Sequence, residues 1–87
     1  MHAVVVKVTI NDFDTAVKEL RDNVVPNVSQ IPGFVTGTWT RDGSDGLSMV
    51  VFESEEVAQQ ASEQVPSMIS DAVTLQSVEI REVTAHA

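Results

Sequence analysis

The segment Pro32-Gly33-Phe34-Val35-Thr36-Gly37-Thr38-Trp39-Thr40-Arg41, continued by Asp42-Gly43-Ser44-Asp45-Gly46 and Leu47-Ser48-Met49-Val50-Val51-Phe52-Glu53, decides how the chain folds. Two runs rich in β-branched and aromatic residues flank a cluster of Asp, Gly and Ser, residues that tolerate positive φ or bond their own backbone. The segment therefore reads as a β-hairpin. Taking Asp42 to Gly46 as a five-residue connection pairs Arg41 with Leu47, Trp39 with Met49, Gly37 with Val51 and Val35 with Glu53. In that register Val35, Trp39, Met49 and Val51 share one face, and Thr36, Thr38, Thr40, Ser48, Val50 and Phe52 share the other.

Upstream, Ala3 to Ile10 is Val-rich. Val4, Val6, Val8 and Ile10 point one way, and Ala3, Val5, Lys7 and Thr9 the other. Apolar character on both faces predicts a strand in the middle of a sheet. Asn11 or Asp12 then offers a helix N-cap, and Phe13, Val17, Leu20, Val24 and Val28 form one apolar stripe at helical spacing. Pro26 lacks the N–H that would bond the Asp22 carbonyl, so a kink or break is expected there. Pro32-Gly33 closes the helical segment.

Downstream, Ser54 caps a second helix with Glu55 and Glu56 in its first turn and Val57, Ala58, Ala61 and Val65 on its apolar side. Pro66 ends or bends it, and a short piece from Ser67 to Asp71 turns Met68 and Ile69 inward. A last strand from about Val73 to Thr84 changes phase near Gln76-Ser77, which predicts a bulge. The order β-α-β-β-α-β is the ferredoxin-like plan of the α+β class. It has an antiparallel four-stranded sheet, helices on one face, and the first and third strands central. Residues 1–87 form a single domain.

A chain this short buries only somewhat more than about 60% of its unfolded surface, so its own core is thin. The face without helices would expose Val5, Val35, Trp39, Met49 and Val51, too apolar a patch to leave in water, which predicts a homodimer through that face. The Thr- and Ser-rich face under the helices suits a small cavity. Phe13, Thr36, Thr38, Phe52 and Met68 are its candidate lining, with threonine hydroxyls orienting an apolar or aromatic ligand. Trp39 reads as a dimer-core residue, with ligand stacking as the alternative.

Thirteen acidic against five basic residues give a net charge of −8, which repels phosphate backbones and anionic lipid surfaces. Neither nucleic acid nor membrane is an expected partner. Cysteine is absent, which excludes disulfides and thiolate metal sites. The opening residues lack a basic start and a long apolar run, so a cytoplasmic protein is expected. There is no Gly-rich phosphate loop, His-Glu-x-x-His or nucleophile elbow. His2 and His86, near the two ends, read as surface histidines, and neither metal nor cofactor is expected. Arg41 and Arg81 either pair with Glu53, Glu79 or Glu82 or anchor an anionic ligand.

The first strand, the helix with a late proline, Ile31-Pro32-Gly33-Phe34 leading into a strand, and a third strand ending Val51-Phe52-Glu53-Ser54-Glu55-Glu56 together resemble the dimeric α+β barrel superfamily. Within it they are most similar to small antibiotic-biosynthesis-monooxygenase-like domains. The resemblance implies ferredoxin-like protomers whose sheets pack face to face in a homodimeric barrel, each with a ligand cavity between sheet and helices. It also implies activities such as cofactor-independent oxidation of polyketide-like aromatics, haem degradation, or isomerase and cyclase steps. Phe52 stands where active members commonly carry a cavity-forming tryptophan. The second helix, Ser54 to Ser70, holds no histidine of the kind haem-degrading members use. Three readings stay open: a monooxygenase-like binder of a small apolar or aromatic molecule; a non-catalytic dimeric structural or regulatory module with a filled core; and an amino-acid-sensing domain of the same plan. A cavity of roughly 300 Å³ or more separates the first from the second.

Overall fold

The computed structural model describes residues 1–87. Four strands, β1 (His2–Ile10), β2 (Phe34–Asp42), β3 (Asp45–Phe52) and β4 (Val73–Glu82), form one antiparallel sheet in the order β2-β3-β1-β4. Between β1 and β2 runs a helical arm of α1 (Phe13–Glu19), a π-helical turn at Leu20–Val24 and α2 (Val25–Ser29). Between β3 and β4 lies α3 (Glu55–Met68). This is the ferredoxin-like α+β fold, with β1 and β3 central as the Val-rich first strand required.

Local chemistry starts each helix. The Asp12 carboxylate accepts the Thr15 backbone N–H at 3.2 Å and the Thr15 hydroxyl at 2.8 Å. These bonds hold its carboxyl below the usual aspartate range. Ser54 Oγ accepts the Val57 N–H at 3.2 Å, capping α3. Asn11 ties the end of β1 to the start of β4, donating from Nδ2 to the Asp71 carbonyl and the Thr74 hydroxyl at 3.2 and 3.0 Å.

Pro26 neither breaks nor ends the helical arm. The chain widens just before it into the π turn, where the Val25 N–H bonds the Leu20 carbonyl five residues back. The proline then occupies the first turn of α2, where a missing N–H costs least. Pro66 lies inside α3, which continues to Met68 instead of restarting at Ser67. The expected bulge is present: Lys7 pairs with Ser77 and Val8 with Leu75, leaving Gln76 as the extra residue.

The hairpin differs by one residue from the register read above. Asp42 pairs with Asp45, leaving Gly43-Ser44 as a two-residue turn, with Gly43 at φ +61° in the first central position as a type II′ connection demands. Arg41 therefore pairs with Gly46, Trp39 with Ser48, and Thr38 with Met49. Gly46 is a strand residue and not part of the turn. A Cβ there would lie 2.6 Å from the Val8 side chain, so the absent side chain makes room for the valine. A second bulge, at Val35, restores Phe34 opposite Phe52.

One residue of slip exchanges the faces of β2. Trp39 shares the helix-covered face with Val6 and Ser48, and Thr36 and Thr38 stand on the open face opposite Val51 and Met49. The core is small: 10 of 87 residues are buried, and its centre is Val4, Val28, Val50, Phe52, Ala58 and Ala61. Phe52 is 1% exposed and meets Phe34 edge to face with ring centroids 6.3 Å apart. Phe52→Ala is expected to cost about 3–5 kcal/mol, measured by urea denaturation. A loss under about 1 kcal/mol would contradict the central place given to this ring.

Candidate functional site

The helices do not press evenly on the sheet. α3 lies against β4 and β1, and α2 against β2. Between the sheet and the apolar stripe of the helical arm a cavity of about 420 Å³ remains. Its floor is Val4, Val6 and Val8 of β1 with Val50 and Phe52 of β3. Its wall includes Phe13, Val17, Leu20 and Val24 of the arm, and α3 closes it with Ala61, Val65 and Met68. Val6 and Val8, at the centre of a central strand, are only half-buried because this space stands above them.

Twenty of the 26 lining residues are hydrophobic; the polar ones are Glu19, Arg21, Thr40, Arg41 and Ser48, and the last is Gly46. Ser48 stands on the floor opposite Trp39. Thr40 donates its hydroxyl proton to the Leu47 carbonyl at 2.7 Å. Glu19 accepts the Ser70 hydroxyl at 2.7 Å, clasping the arm to the segment after α3. Arg41 and Phe13, both exposed, stand at the rim, with the guanidinium carbon 3.6 Å from the ring centroid.

Of the residues picked from the sequence as ligand contacts, Phe13, Phe52 and Met68 line this cavity; Thr36 and Thr38 do not, because the register places them on the opposite side of the sheet. Trp39, read as an interface residue, lines the cavity instead. Its indole lies over Gly37, where a Cβ would come within 2.9 Å of the ring. Val5, Met49 and Val51 are on the open face as expected, and Val35 is the extra residue of the bulge, 42% exposed. Arg41, weighed above as an anion anchor, lies at the cavity rim, Ser48 keeps the helix-covered face read for it, and Arg21 alone of the three was not anticipated as a lining residue. For the register, the Gly43-Ser44 pair was the available signal, since a Gly-Ser turn between two strands marks a two-residue hairpin.

His2 sits at one end of the sheet, its Nε2 3.3 Å from a Glu55 carboxylate oxygen at the start of α3, and takes no part in the cavity lining. No group of three or more His, Asp or Glu side chains is placed to hold a metal ion. No helix is long and apolar enough to cross a membrane.

Fold and cavity together define a ferredoxin-like domain with an apolar ligand-sized chamber between sheet and helices. No protein-family model matches the chain, and neither does any curated protein sequence. Solved structures do. A monooxygenase from the gene ActVA-Orf6 of Streptomyces coelicolor, in complex with the ligand nanaomycin D, superposes with a TM-score of 0.62 at 16% identity, over 99% of this chain and 89% of that one. The haem degrader MhuD of Mycobacterium tuberculosis, with two haems bound in its active site, superposes with a TM-score of 0.54 at 21% identity, over 97% and 98%. The chain thus has the fold of these two proteins.

The residues present do not fit haem. No histidine, cysteine or tyrosine lines the cavity, α3 has no histidine, and Met68 is the only sulfur donor.

The packing of Trp39 over Gly37 is directly testable. Gly37→Ala is expected to push the indole off the sheet, shifting the emission of this single tryptophan to longer wavelength in a steady-state fluorescence spectrum. An unchanged spectrum would mean that the ring does not rest there.

Proposed function

We propose that the protein binds a small apolar, aromatic molecule in the chamber between sheet and helices, in the manner of a monooxygenase-like domain. The observation that carries this reading is the chamber itself. It has about 420 Å³ of space with a mainly hydrophobic lining, within the range of small-molecule sites, where a structural module of this size would fill its core. The aromatic rings of Phe13, Trp39 and Phe52 offer faces and edges to a planar ligand. The structural relative solved in complex with nanaomycin D supports a small-molecule ligand for this fold.

The lining supplies enclosure, aromatic surface and positive charge, and its only carboxylate, Glu19, is engaged by Ser70. An enzymatic form of this reading is a cofactor-independent oxygenation in which an electron-rich substrate itself reduces dioxygen. One oxygen atom enters the product at a CH₂ carbon as a carbonyl and the other leaves as water with the two hydrogens. The protein's part would be to hold the ring and exclude water. Titration with the neutral fluorophore N-phenylnaphthylamine, followed by quenching of Trp39, is expected to saturate. Val6→Phe, which fills the floor, is expected to weaken binding at least roughly tenfold without lowering the melting temperature. No saturable quenching in the native protein would overturn the proposal.

We further propose that a second copy of this chain covers the open sheet face. Met49 and Leu47 there are 51% and 45% exposed, flanked by Val5 and Val51 on neighbouring rungs. A continuous apolar patch at the centre of a sheet is what a paired sheet would bury. Light scattering after size exclusion at micromolar concentration is expected to give twice the chain mass, and Met49→Glu half of that. A native monomer would refute the pairing.

A further inference from the structure

In a chain with thirteen acidic and five basic residues, two of the five cations, Arg21 and Arg41, line the apolar chamber. Neither has a carboxylate within ion-pairing distance, although Arg81 on the same sheet pairs with Glu79 at 2.6 Å and draws its carboxyl below the usual glutamate range. Arg41 has one protein acceptor, the Gly43 carbonyl, at a long 3.5 Å from Nη1. Its guanidinium lies against the Phe13 ring, which fixes the position of the cation at the rim. The remaining N–H groups have no protein partner, and a guanidinium's fork suits the two oxygens of an anionic group.

We propose that Arg41 is a specificity-determining residue that selects, among aromatic molecules, those bearing an anionic oxygen group such as a carboxylate, a sulfonate or an ionised phenol. The group sits at the hairpin end of the chamber while the rings lie on the valine floor. Arg21, on the π turn, adds positive charge to the lining. This assignment rests on the ligand-binding reading above and narrows its chemical class. It runs against the net charge of the protein, which disfavours anions at long range, so a local cation has to account for any preference.

The test compares two probes with one ring scaffold, neutral N-phenylnaphthylamine and its sulfonated analogue anilinonaphthalene sulfonate, each titrated by quenching of Trp39. The native protein is expected to bind the sulfonate roughly tenfold more tightly, and the preference to shrink as salt rises. Arg41→Gln is expected to abolish the preference by weakening the sulfonate alone, and Arg41→Lys to restore part of it through charge without the fork. If both probes bind equally, or if Arg41→Gln leaves their ratio unchanged, the inference falls and the chamber reading stands. If neither binds, both fall. Circular dichroism of both variants confirms that this rim substitution leaves the fold intact.

Discussion

The register of the β2–β3 hairpin is the constraint on which the rest depends. Side chains alternate across a sheet with a period of two, so the length of the Gly43-Ser44 turn determines which half of β2 faces the helices and which half faces away. With two residues in the turn, the indole of Trp39 and the cation of Arg41 go to the chamber and the threonines go outside. The Val35 bulge then corrects the phase once more, so that Phe34 can meet Phe52. Two local irregularities thus place three aromatic side chains on one side of the sheet.

The second organising fact is that the core is incomplete. Phe52, Val4, Val50 and the small residues Ala58 and Ala61 close the end of the sandwich beneath α3, where the alanines allow close approach. Toward the arm the apolar side chains of β1 and α1 face each other without filling the space between them. Packing to native density would stabilise so small a domain, and leaving a chamber forgoes that stabilisation. The open face of the sheet is a second place where apolar area is left without cover. Both features fit a domain that completes its burial with other molecules.

Much of the architecture was legible because each element carries an independent signal. β1 declares itself central by being apolar on both faces, the Phe13 to Val28 stripe gives the arm, and Ser54 with two following glutamates opens α3. Even the β4 bulge shows as a change of phase at Gln76. The fine placement of the site was less legible. Asp42, Asp45 and Gly46 have the composition of a loop, and only in three dimensions does Gly46 prove to be a strand residue fitted beneath Val8. The resulting slip misplaced Thr36, Thr38 and Trp39 together, whereas Phe13, Phe52 and Met68, on other elements, were untouched by it. Pro26 was legible only in part: the regular helix is interrupted beside it, by a π turn and not by a break. The sequence shows the missing donor but not the neighbouring turn that accommodates it.

That turn carries a mechanical implication. Between Leu20 and Val24 the regular ladder of the arm is widened, and the next residue but one contributes no N–H at all. Backbone opening in the arm meets least resistance at this seam, which is also part of the chamber wall through Leu20 and Val24. The sheet, by contrast, is laced by ladders on both sides of β1, interrupted only at the Gln76 bulge. Amide exchange should therefore be fastest in the wall and slowest in the floor.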